Sequence, residues 1–146
     1  MSLYKRVLVP TDGSEITAKA VQTAIAMARQ NGAEVFTIAV KEPFPYSAIS
    51  EMQPVPPQEY YDAQERIAAE RVKAVMDAAL GAGVKCTGHT VEALHPWEAI
   101  IDHAKAHSCD LIVMASHGRR GLAALMLGSE TQRVLIHTTL PVLVVR

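Results

Sequence analysis

Four apolar, β-branched runs without polar alternation constrain this chain more than any other feature. They are Val7-Leu8-Val9, Val35-Phe36-Thr37-Ile38-Ala39-Val40, Leu111-Ile112-Val113-Met114-Ala115 and Leu140-Pro141-Val142-Leu143-Val144-Val145. A strand that is apolar on both faces has to be covered on both faces, which is the situation of a parallel sheet flanked by helices. A further strand is predicted around Val84 to Val91. Between the strands the period changes to that of a helix: Ala20, Val21, Ala24, Ile25 and Ala28, then Ala68, Val72, Val75, Met76 and Ala79, then Trp97, Ile100, Ile101 and Ala104, and last Val134, Leu135 and Ile136. Punctuation agrees with this reading. Ser14 is placed to cap the first helix and Asn31-Gly32 to stop it; Gly81-Ala82-Gly83 ends the second; Pro96 suits the first turn of the third, which ends near His107; Ser129 opens the fourth. Five strands alternating with four helices predict an α/β fold, a doubly wound parallel sheet with helices on both faces.

At 146 residues the chain is expected to form a single domain over 1–146, with no internal repeat and no dividing linker. Its 49% hydrophobic and 20% charged content exclude a disordered or collagen-like chain. A net charge of -1 offers no global attraction to nucleic acid or to an anionic membrane, so any anion site has to be local. The N-terminus lacks the pattern of a signal peptide, no apolar run approaches the ~18 residues of a bilayer span, and two cysteines are too few for a disulfide scaffold. A cytoplasmic home is expected.

Ligand crevices in open α/β sheets lie outside the carboxyl ends of the strands, which directs attention to two loops. The first, Pro10-Thr11-Asp12-Gly13-Ser14, sets a carboxylate between a strand and a helix. Asp12 suits ribose hydroxyls or a phosphate-bound metal, and equally suits a helix entrance, where the macrodipole favours an acid. The second runs from Ser116 to Thr131 and includes Gly118, Arg119, Gly128, Ser129 and Glu130. Glycines let backbone N–H groups approach an anion, and Gly128-Ser129 leads into a helix N-terminus that favours phosphate. Arg119, Arg120 and Arg133 face only Glu130 among the acids of Ser116 to Arg133. Ser129 with Gln132 also reads as a capping box that needs no ligand. A third segment, Glu42 to Pro57, gathers five of the eight prolines behind the second strand and reads as a binding loop or flap.

Several other chemistries lose their support. The Walker loop, the glycine fingerprint of dinucleotide folds, the H-E-x-x-H helix and the hydrolase nucleophile elbow are all absent. His103 and His107 form an i, i+4 pair with metal-ligand spacing, but histidine also collects at helix C-termini for dipole reasons. Cys109 has no paired cysteine or obvious base and reads as a plain buried thiol.

Three segments resemble the universal stress protein family: Val7-Leu8-Val9-Pro10-Thr11-Asp12-Gly13-Ser14, Asp110 to Gly118, and Pro141-Val142-Leu143-Val144-Val145. The nucleotide-binding branch of that family carries G-x2-G-x9-G-S/T, matched here at Gly118, Gly128 and Ser129, with Ala115 in place of the first glycine. An added methyl there narrows the space beside a ligand, and costs ~1–2 kcal/mol if the position needs a positive φ. Leu94, where relatives commonly have glycine, is a second departure, expected to alter only a local turn.

The resemblance implies strand order 3-2-1-4-5 and an adenine nucleotide, ATP or AMP, bound with Mg²⁺ or Mn²⁺. It places Asp12 at the ribose or metal and the Val40 backbone at adenine, with Pro10, Thr11, Met114, Ala115 and Arg119 lining the site. Gly118, Gly128, Ser129 and Glu130 meet the phosphates, with Thr131 a weaker contact. It further implies a homodimer formed through the C-terminal strand 140–146. Three readings follow: a nucleotide-binding stress-response module, a slow metal-dependent ATP hydrolase, and a structural or interaction protein that binds no nucleotide, which Ala115 keeps open. No general base or arginine finger stands out for the second.

Overall fold

The computed structural model describes residues 3–44, 57–118 and 126–146. The greater part of the proline-rich segment (45–56) and the loop residues 119–125, with Arg119 and Arg120, lie outside the described residues, and so do the flap and basic-loop expectations that rest on them. Elements follow in the order β1 (Arg6–Pro10), α1 (Glu15–Asn31), β2 (Glu34–Lys41), α2 (Gln58–Gly81), β3 (Cys86–Glu92), α3 (Pro96–Ala106), β4 (Leu111–Ala115), α4 (Ser129–His137) and β5 (Val142–Val145). The strands form one parallel sheet in the order β3-β2-β1-β4-β5, as the resemblance implied.

Alternation along the central strands assigns the two faces. Val7, Val9, Val35, Leu111, Val113 and Ala115 pack with α1 and α2, through residues such as Ala20, Ala24, Ile25, Val75 and Ala79. Leu8, Phe36, Ile38, Ile112 and Met114 pack with α3 and α4, through Ala99, Ile100, Ala104 and Val134. Leu8, Val9, Val35, Ile38, Ile112 and Val113 are wholly buried, and each such side chain contributes about 1.5–3 kcal/mol relative to exposure. The stripe read on α2 is buried at Ala68, Val72, Val75 and Ala79, whereas Met76 stands at its margin, 37% exposed.

Helix ends follow their chemistry. The Ser14 hydroxyl accepts from the Thr17 N–H at 3.3 Å, and Gly32 closes α1 at φ +66°, a left-handed conformation that glycine adopts without penalty. Pro96 occupies the first turn of α3. The capping box expected at α4 is not formed. Gly128 is the N-cap, Ser129 is the first helical residue, and Gln132 turns its amide to the Leu127 carbonyl at 2.7 Å. Among the described residues no helix is long and apolar enough to cross a membrane.

Candidate functional site

The strand order reverses between β1 and β4, so their following loops diverge and leave a crevice at the carboxyl end of the sheet. The β1 loop is fixed locally. Thr11 donates its N–H to the Ile38 carbonyl on β2 at 2.9 Å, Gly13 takes φ +77°, and its N–H donates to the Thr11 hydroxyl at 3.2 Å. Asp12 is oriented through one oxygen: Oδ1 accepts from the Ser14 N–H at 2.9 Å and from the Thr17 hydroxyl at 2.6 Å. Thr17, buried on the inner face of α1, was not singled out in the sequence. Its signal was the spacing to Ser14 and Asp12, which places a hydroxyl one turn inside the helix.

Oδ2 of Asp12 points across the crevice to the β4 loop. A methyl built on Gly118 would stand 2.7 Å from it, so the two loops meet at a place where a side chain at 118 would have to displace the Asp12 carboxylate. The far end of the β4 loop returns just as closely. Gly128 donates its N–H to the Ser116 carbonyl at 2.6 Å, and a methyl on it would meet the His117 Cα at 3.0 Å and that carbonyl at 3.2 Å. Ser116 in turn donates its N–H to the Val145 carbonyl at 2.8 Å, tying the loop to the edge strand. Ser116 and His117 are thus the pivot of the loop, a role the sequence reading did not give them.

α4 starts where the loop ends, with its first N–H groups, those of Ser129, Glu130 and Thr131, lacking intrahelical acceptors as at any helix start. Ser129 is exposed. The Thr131 side chain is buried, donating to the Ala115 carbonyl at 2.9 Å, which binds α4 to the end of β4. Glu130 turns away from the crevice, and its Oε2 accepts from the Trp97 N–H at the start of α3, 2.9 Å away. Only the backbone of Glu130 and Thr131 is therefore presented to a ligand at this helix start.

The remaining expected residues divide between loop and core. Pro10 ends β1, Thr11 follows it, and Val40 stands half-buried near the end of β2. Met114 is a core side chain on the α3 and α4 face. Ala115 is the last residue of β4, in extended conformation, its methyl in the cluster beneath α1 and 8% exposed. The left-handed strain considered for this position does not arise. Burial pushes both thiols, Cys86 and Cys109, up to about 11, which keeps them from acting as thiolates at neutral pH.

Comparison with known proteins places these features in a family. The model of the universal stress protein family matches residues 3–146. A universal stress protein of Methanocaldococcus jannaschii, MJ0531, is 32% identical over 99% of this chain and 84% of its own length. The solved structure of MJ0577 superposes with a TM-score of 0.83 at 28% identity, covering 98% of this chain and 96% of that one. A universal stress protein solved in complex with cAMP superposes at 0.73 with 27% identity and 99% coverage of both chains.

Proposed function

The chain belongs to the universal stress protein family, and from that premise we propose that it is an adenine-nucleotide-binding module. In this reading it binds ATP or AMP in the crevice between β1 and β4, and works in the cytoplasm as a single-domain homodimeric regulator rather than as a turnover enzyme. The observation that carries the reading is the pair of glycine close approaches, Gly118 against Asp12 and Gly128 against Ser116 and His117, at the switch point of the sheet. Such packing brings backbone donors and a helix N-terminus to one place without side chains in the way, the chemistry that phosphate requires. The cAMP complex of a relative supports the same ligand class.

The roles divide by what each group offers. The Val40 backbone takes adenine, while Pro10, Thr11, Met114 and Ala115 form the walls. Asp12 meets the ribose, or a Mg²⁺ or Mn²⁺ ion carried on the phosphates; its hard carboxylate oxygens fit such an ion, and its Oδ1 contacts hold the side chain in place. Gly118, Gly128, Ser129, Glu130 and Thr131 offer backbone N–H groups, and Ser129 adds its hydroxyl. Arg119 supplies positive charge on the phosphate side.

Calorimetric titration with ATP and AMP, with and without Mn²⁺, tests the proposal together with chromatography of nucleotide released from freshly purified, denatured protein. Saturable binding that Gly128→Val abolishes is expected. A folded protein that takes up no adenine nucleotide at ~1 mM ligand, a concentration at which even weak sites fill, would overturn it.

A further inference from the structure

Away from the crevice, three imidazoles meet where β3 lies beside the C-terminal half of α3. His89 pairs in register with Ile38 on β2, while His103 stands in the last turn of α3 and His107, its C-cap residue, one turn further on. The ring centroids of His103 and His107 are 4.2 Å apart, and each is 5.2 Å from His89. One ring nitrogen from each residue falls in a set whose members all lie within 4.8 Å of one another. His103 is only 9% exposed, and its Nε2 is buried with no hydrogen-bond partner among the described residues. A buried polar nitrogen without a partner is unfavourable, so its position calls for an explanation.

The helix-dipole account of these histidines does not supply one. It needs a ring nitrogen turned to the last carbonyls of the helix, whereas the His103 ring packs against those of His107 and His89 and its Nε2 is left unpartnered. An imidazole nitrogen so placed has a lone pair to give to a metal ion. We propose that His89, His103 and His107 form a binding site for one divalent transition-metal ion of the zinc type, held by three ring nitrogens with the fourth position left to water.

Imidazole donors favour Zn²⁺, Cu²⁺ or Ni²⁺ over Mg²⁺ and Ca²⁺, which separates this site from the oxygen-donor crevice at the other end of the fold. Tetrahedral zinc with bonds of about 2.0–2.1 Å needs donors about 3.3 Å apart, so the three nitrogens, now within 4.8 Å of one another, have to close on the ion as it binds, and His89, exposed at the mouth of the cluster, is the ring most free to turn. That exposure also gives the ion its way in. The helix end is already held, because the Arg6 guanidinium donates to the His107 carbonyl at 2.9 Å and His107 packs 5.2 Å from the Phe36 ring. Metal binding would clip edge strand β3 to α3 across the cluster. None of this depends on the nucleotide reading.

The test uses untagged, chelator-treated, full-length protein without nucleotide. Zn²⁺ titration followed by calorimetry should give one ion per chain, and His89→Ala or His107→Ala should each weaken it at least ~10-fold by removing one of three ligands. Because His103→Ala opens a buried site, the wild type carries the decisive measurement. In imidazole NMR spectra Zn²⁺ should shift the rings of His89, His103 and His107 and leave His95, His117 and His137 unmoved, while Mg²⁺ moves none of the six. No zinc uptake at ~100 µM ion, shifts confined to the other three histidines, or unchanged affinity in both variants would each overturn the proposal.

Discussion

Gly118 and Asp12 give the clearest residue-level handle on the crevice. The atom that a methyl at Gly118 would strike is the end of a flexible side chain, 2.7 Å away, and Gly118 itself is exposed. Gly118→Ala should therefore leave stability within about 0.5 kcal/mol of wild type while swinging the Asp12 carboxylate away from its ligand. Nucleotide affinity should fall about tenfold, or ~1.4 kcal/mol, in the calorimeter with an unchanged urea midpoint. Ala115 sets up the opposite pattern. Its extended backbone needs no glycine and its methyl is part of the core under α1, so Ala115→Gly should lower stability by about 1 kcal/mol. ATP affinity should change less than about twofold; a clear tightening would show that the methyl does crowd the ligand.

At the scale of elements, α3 and α4 are joined by a bond that no local pattern announces. Glu130, at the second helical position of α4, accepts from the Trp97 N–H 33 residues earlier and so caps α3, whose own N-cap, His95, makes no side-chain cap bond. Glu130→Ala should cost about 1 kcal/mol in urea unfolding, as loss of a helix cap does, and Glu130→Gln should recover part of it through the remaining amide oxygen. What was legible in the sequence divides along the same line of local against distant causes. β1, β2 and β4 were readable because central strands of a parallel sheet are apolar on both faces. β3 is an edge strand with the mixed sequence Cys86-Thr87-Gly88-His89-Thr90-Val91-Glu92, and it begins later than its apolar start suggested because Val84 returns its N–H to the Ala79 carbonyl at the end of α2. β5 begins at Val142 because Leu140 is held in a turn by the Thr138 hydroxyl. Ser129 lost its expected capping place to Gly128, which the Ser116 carbonyl draws in from 12 residues away. In the crevice, Asp12, Gly118 and Gly128 were visible through spacing, and Thr17 carried a local signal in its spacing to Ser14 and Asp12, whereas Ser116 and His117 act through tertiary contacts. The histidine cluster was half visible, since the i, i+4 pair lies on one helix and only folding brings His89 to it.

On the scale of the whole molecule, the sheet ends in two unlike edges. β3 carries polar and titratable side chains, whereas β5 is four consecutive apolar residues, Val142 to Val145, followed by the lone charge of Arg146. An edge of that kind, with neither lysine nor an inward charge, templates the addition of another strand unless a partner already covers it. Val142 and Val145 are partly covered by the two core clusters, but Leu143 is 37% exposed, and α4, which leads into the strand, exposes Leu135 at 41% and Ile136 at 74%. Two copies related by a two-fold axis, with their β5 strands antiparallel, would pair the open backbone groups and cover Leu143 on both chains, a self-complementary arrangement that closes and does not propagate. Leu143→Lys separates this arrangement from a merely tolerated edge. The position is already open to water, so a lysine there costs the monomer little, whereas in the dimer it sets two ammonium groups near the axis. The wild type should sediment as a dimer at tens of micromolar and the variant as a soluble, folded monomer with an unchanged far-UV spectrum. A wild type that sediments as a monomer, or a variant that remains dimeric, would show that β5 is not the assembly edge.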